Sequence, residues 1–70
     1  MYQRLRKLRK DHGISQRALA ELLGISQQTY SRYERGQRIP SVETVYVLAR
    51  LYHVSMDYLA GITDDPQPRW

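Results

Sequence analysis

Between Ser15 and Gly36 the chain twice repeats one short device: a serine, a glutamine, a brief helical run and a closing glycine. The two runs are "SQRALAELLG" and "SQQTYSRYERG", and only Ile25 stands between Gly24 and Ser26. Serine is a good N-cap because its hydroxyl accepts from an otherwise unpaired N–H of the first turn. "QRALAELL" is built from strong helix formers, and a glycine closes such a helix by accepting a left-handed backbone. Two helices joined by so tight a turn cannot run antiparallel along their length. They cross steeply and expose the front of the second. Gly24 supplies the turn, and Ala20 is small enough for a close crossing. Leu19, Leu22 and Leu23 share one face of the first helix. Leu19, Leu23, Ile25, Tyr30 and Tyr33 form the apolar set that holds the pair onto a core. Gln27, Gln28, Ser31, Arg32 and Arg35 are left facing outward.

The remaining segments are helical as well. Tyr2, Leu5 and Leu8 give residues 2–11 a narrow apolar stripe, which predicts a first helix ended by Gly13. Pro40 disfavours helix at Ile39 and leaves Ser41 as the cap of "VETVYVLARLYH". Val42, Val45, Tyr46, Ala49 and Tyr52 recur there at helical spacing and predict the centre of the core. Ser55 caps a last short helix in "MDYLAG", and "ITDDPQPRW" reads as a tail. The expected fold is all-α, with five helices in residues 1–61 and a tail in residues 62–70. Seventy residues make one small domain with a limited core.

Charge and composition narrow the function. The net charge is +4, but residues 1–38 hold nine Lys/Arg against three Asp/Glu, and residues 39–70 hold two against four. The first part therefore carries +6 and the second −2, the split expected of a domain that turns one face to a polyanion. Basic residues that merely solvate helix faces would give the same count. The absence of cysteine removes disulfides and thiolate metal sites and fits a reducing cytoplasm. His12 and His53 lack ligand spacing, so no metal is expected. No apolar run is long enough to span a bilayer, and "YQRLRKLRK" is too charged for a signal sequence. No nucleophile–base set, phosphate loop or carboxylate pair emerges, so neither an enzyme, a cofactor nor a small-molecule ligand is expected. Long amides and guanidinium groups on a protruding helix suit base edges in the major groove. Glutamine pairs bidentately with adenine, and arginine with guanine.

Residues 4–61 resemble the helix-turn-helix domain of the phage repressor and Cro family, the XRE type. The likeness rests on "LRKLRKDHGISQRALAELLGIS", "SRYERGQRIPSVETV" and "LYHVSMDYLAG". It implies that Gln16, opening the first motif helix, meets a phosphate, and that Gln27, Gln28 and Arg32 read bases. It also implies an ion pair between Arg9 and Glu34 behind the motif. Ser31 joins the base-reading set, and Arg17, Ser26, Arg35 and Arg38 the phosphate set. Ser31 and Arg35 equally fit ordinary solvent-facing positions, and Gln16 fits a simple helix start. Tyr30 departs from the family pattern, which usually has a smaller branched residue there. The implied function is sequence-specific binding of double-stranded DNA by a cytoplasmic transcriptional regulator, most often a repressor acting as a homodimer on a palindromic operator. Activation, an antitoxin role and control of a restriction system are the family's other outcomes. Tyr58, Ile62 and Trp70, in the acidic half, are candidates for the dimer contact. A protein-interaction module is the rival class, and the basic half and polar front of the second motif helix argue against it.

Overall fold

The computed structural model describes residues 2–68 and 70. Five helices follow one another: α1 (Leu5–Asp11), α2 (Gln16–Leu23), α3 (Gln27–Glu34), α4 (Val42–Tyr52) and α5 (Met56–Ala60). There is no strand among the described residues. No helix among them is long and apolar enough to cross a membrane.

One start signal is used four times. Ser15, Ser26, Ser41 and Ser55 each have extended backbone and accept the N–H of the residue three positions on, at Ala18, Thr29, Thr44 and Tyr58. Each serine is preceded by Ile14, Ile25, Pro40 or Val54, and followed four residues later by buried Leu19, Tyr30, Val45 or Leu59. An apolar residue just before the cap and another at the fourth helical position is the spacing of a hydrophobic staple. The pattern therefore sets where each helix begins and also which way it enters the core.

α1 lacks this signal, and it begins later than its apolar stripe suggests. Tyr2 has φ of 60°, outside helical space, and Leu5 N–H reaches back to Tyr2 O at 3.4 Å. The helix therefore starts at Leu5 rather than at residue 2.

Leu5, Leu19, Ala20, Tyr30, Tyr33, Val45, Leu48, Ala49, Tyr52, Val54 and Leu59 form the core. The expected stripe on α4 is rotated. Val42 and Tyr46 are exposed, and the buried face is Val45, Leu48, Ala49 and Tyr52. Val45, Ala49 and Tyr52 are buried as expected, and Val42 and Tyr46 lie to one side of that face and Leu48 to the other. Packing selects the set that contains Leu48. On α2, Leu22 is likewise exposed while Leu19 is buried, because α3 and the core cover only one side of so short a helix.

The segment after Gly61 lies against the body. Arg4 donates to the carbonyls of Tyr58 (2.6 Å) and Thr63 (2.7 Å) and pairs with Asp64, and Pro66 O accepts from Ser55 N–H at 3.0 Å. The Arg4 guanidinium also lies 4.0 Å from the centre of the Tyr58 ring. At the end of the chain, Arg50 lies 4.7 Å from the Trp70 ring centre, and His53 meets that ring edge-on at 5.9 Å.

Candidate nucleic-acid interface

Gly24 makes the α2–α3 turn. Its φ is +70°, and a Cβ added there would meet no atom within 4 Å, so the position requires glycine for its backbone rather than for space. Ile25 N–H closes onto Ala20 O at 3.0 Å, and Ser26 then caps α3. Ser26 Oγ accepts from Thr29 N–H at 3.0 Å and donates to Thr29 Oγ1 at 2.8 Å.

At about 100° per residue, Gln27, Ser31, Arg35, Gln28 and Arg32 fall within an arc of about 140° on α3. Tyr30 and Tyr33 occupy the opposite side and are buried. Gln27, Gln28 and Arg35 are exposed, whereas Ser31 and Arg32 are half-buried. Arg38 is exposed in the loop before α4. Arg17 is exposed on α2, where its Nε lies 3.4 Å from Glu21 Oε1, an open i,i+4 pair. Such a pair is worth only a few tenths of a kcal/mol, so it does not commit the guanidinium elsewhere.

Behind α3 lies a polar cluster largely shielded from solvent. Arg9 Nε donates to Glu34 Oε2 at 2.6 Å, Arg9 Nη2 to Glu34 Oε1 at 3.3 Å, and Arg9 Nη1 to Ile14 O at 2.9 Å. The Arg9 and Glu34 side chains are 11% and 3% exposed. Gln16 Nε2 also donates to Glu34 Oε1, at 3.0 Å. Burial pushes the Glu34 carboxyl pKa up, but the hydrogen bonds from Arg9 and Gln16 outweigh it and hold the group below the ordinary carboxylate value. Burial, followed by the nearby Glu34 carboxylate, keeps Tyr30 a neutral phenol and pushes Tyr52 up to about 12. Neither phenol oxygen makes a hydrogen bond of good geometry with another described residue. The large ring at Tyr30 is accommodated fully inside the core, beside Tyr33 in an edge-on contact at 6.2 Å.

The fold thus brings Arg9, Gln16 and Glu34 into one cluster and sets Gln27, Gln28, Ser31, Arg32 and Arg35 on one face. Arg17, Ser26 and Arg38 stand on α2, the α3 cap and the following loop. Sequence reasoning missed the Gln16–Glu34 hydrogen bond and the Arg4 clamp. The first had a faint signal in the ion pair expected behind Gln16. The second had none, because Arg4 reaches residues 54 to 60 positions away.

Comparison with known proteins agrees with this geometry. The Helix-turn-helix family model matches residues 5–59. The chain is 48% identical over 67 residues to the uncharacterized HTH-type transcriptional regulator YobD of Bacillus subtilis, covering 96% of this chain and 60% of that protein. It is 43% identical over 58 residues to the HTH-type transcriptional regulator ImmR of the same organism, covering 83% of this chain and 46% of ImmR. Against the cryptic phage CTXphi transcriptional repressor RstR of Vibrio cholerae the identity is 37% over 58 residues, covering 83% and 52%. The chain therefore spans about half the length of the curated relatives it matches. The Gly24 turn, the packed α2–α3 pair and the matched segment coincide, and the chain belongs to the XRE-type helix-turn-helix family.

Proposed function

We propose that this domain binds double-stranded DNA sequence-specifically and serves in the cytoplasm as a transcriptional regulator, acting as a repressor. The observation that carries the reading is the polar arc on α3. Gln27, Gln28, Ser31 and Arg32 present amide, hydroxyl and guanidinium groups from a helix whose other side is anchored by Tyr30 and Tyr33. Gln16, Arg17, Ser26, Arg35 and Arg38 would meet phosphates on either side of that helix. Arg9 and Glu34 hold the motif from behind. The names of related proteins, two regulators and a phage repressor, support the same role.

A single domain of this size offers few base contacts. Two copies on half-sites about one helical turn apart supply the rest, so the operator is read as a palindrome by a homodimer. With the basic half toward DNA, the second copy docks through α4, α5 and residues 62–70, an appended segment to the binding unit of residues 1–61. Tyr46, Ile62 and Trp70 are exposed there and Tyr58 is half-buried.

Selection of bound sequences from a random duplex pool, followed by titration of the winner, tests the reading. Replacing Gln27, Gln28 or Arg32 with Ala should lose about 1–3 kcal/mol on the selected duplex and little on random DNA. Replacing Arg38 should weaken both and flatten the salt dependence. Equal loss on all sequences from the Gln and Arg32 changes would remove the base-reading assignment.

A further inference from the structure

The side-chain amide of Gln16 turns toward the buried cluster behind α3. Its Nε2 donates to Glu34 Oε1 at 3.0 Å, and the residue remains half-buried at the first position of α2. Glu34 is also held by two nitrogens of Arg9, at 2.6 and 3.3 Å, and its side chain is 3% exposed. An ionised carboxylate only accepts hydrogen bonds, so it decides which end of the glutamine amide turns inward. The nitrogen carries two hydrogens, and Glu34 takes one. A phosphate oxygen is also only an acceptor, and the second hydrogen is the one left for it. A glutamine free to flip would have to turn its nitrogen to the phosphate on binding, and the bond to Glu34 sets that orientation in advance.

We propose that Glu34 is a positioning residue for DNA binding: its carboxylate fixes the Gln16 amide so that the second Nε2 hydrogen meets a phosphate oxygen. One nitrogen then bridges two anions, the buried carboxylate and the DNA backbone. The proposal rests on the DNA-binding reading above. It gives the buried pair a second task, because Arg9 keeps Glu34 ionised and hence unable to donate to the amide. The unpaired N–H groups of the first turn of α2 lie at the same end and favour the same anion.

The test measures binding to the selected duplex across a salt series. The proteins are wild type, Gln16→Ala, Arg9→Met/Glu34→Met and the triple variant, each at a temperature where circular dichroism shows it folded. Removing both charges together avoids leaving one buried alone. Gln16→Ala and Arg9→Met/Glu34→Met should each weaken binding about tenfold, the scale of one charge-assisted hydrogen bond. Neither change should alter the salt slope, because a neutral amide releases no counterion when it meets a phosphate. The triple variant should bind no worse than either. Arg9→Lys, which keeps the carboxylate, should retain the affinity while lowering the melting temperature. Multiplying effects, or an Arg9→Met/Glu34→Met protein that binds as tightly as wild type, would overturn the proposal while leaving DNA binding intact. If that variant does not fold, side-chain amide NMR of the wild type decides. One Gln16 Nε2 proton should follow the acid titration of Glu34 both free and on DNA, and loss of that response on DNA overturns the proposal. A wild type that binds no duplex at all overturns the reading beneath it and the proposal with it.

Discussion

Arg4 and Arg9 stand at opposite ends of α1, and each ties that helix to a distant part of the chain. Arg9 joins the motif, with Glu34, Gln16 and Ile14 O all within one cluster. Arg4 joins the C-terminal segment through Tyr58 O, Thr63 O and Asp64. The setting separates them. The Arg9 and Glu34 side chains are 11% and 3% exposed, whereas those of Arg4 and Asp64 are 26% and 99%. A charge taken out of water has to be matched by a partner, and losing that partner leaves an uncompensated buried ion. A charge left in water loses little when its partner goes. The same residue type is therefore a keystone at one end of α1 and a fastening at the other.

The largest effect should come from breaking Arg9–Glu34 on one side. Glu34→Ala or Arg9→Ala should destabilise by about 3–5 kcal/mol, a large share of what a domain this small possesses. Arg9→Met/Glu34→Met should cost far less than either, because no ion is stranded. Urea melts of the three variants check this. If single and double changes cost the same, the pair is a surface interaction in energetic terms and the contrast with Arg4 collapses.

A pH titration separates the two ends next. Glu34 has a lowered pKa in the fold, so the unfolded chain binds more protons in acid. Its stabilisation is full above about pH 4.3, the ordinary glutamate value, and is lost as pH falls through the folded value. Tyr30 and Tyr52 are raised, the latter to about 12. Their contribution is full below about pH 10, the ordinary tyrosine value, and is lost as pH rises beyond it. Thermal melting should give a plateau between these limits. Arg9→Met/Glu34→Met should flatten the acid arm, and an Arg4 variant should leave both arms unchanged.

How much of this was readable from sequence follows the same line between local and distant. Ser15, Gly24, Ser26, Gly36, Ser41 and Ser55 announce the helix boundaries because caps and left-handed turns act over a few residues. The packed α2–α3 pair and the polar front of α3 were legible for the same reason. On α4, spacing alone could not choose between the Val42–Tyr46 side and the Leu48 side. That choice depends on which neighbours cover the helix, and no local rule supplies it. The start of α1 failed at Tyr2, whose positive φ is set by the turn it makes with Leu5. The Arg4 clamp was invisible, since nothing around Arg4 names Thr63 or Asp64 as its partners. Within the site, the family resemblance gave Gln16 and Glu34 separately, and only the fold puts a hydrogen bond between them.

Arg4→Met should cost about 1–2 kcal/mol, less than the Arg9 change. It removes the donors to two carbonyls and the guanidinium that lies over the Tyr58 ring. The loss should be accompanied by faster proteolytic cleavage after residue 61, while the melting of α2 and α3 remains cooperative with the core. Cleavage at the wild-type rate would mean that the Ser55–Pro66 backbone bond, at 3.0 Å, holds the segment without Arg4.

The smallest effect belongs to Asp64. Its carboxylate pairs with Arg4, yet the side chain is 99% exposed, so water and salt compete for every position it offers. Asp64→Asn should therefore change stability by no more than about 0.5 kcal/mol. The change should vanish at about 1 M salt, where the screening length is near 3 Å. Arg4 would keep its bonds to Tyr58 O and Thr63 O, which are the ones partly shielded from solvent. Chemical denaturation with urea at low and high salt makes the measurement, since urea adds no charge of its own. A salt-independent loss of 1 kcal/mol or more would place Asp64 in the same energetic class as Glu34. The two ends of α1 would then differ in location alone.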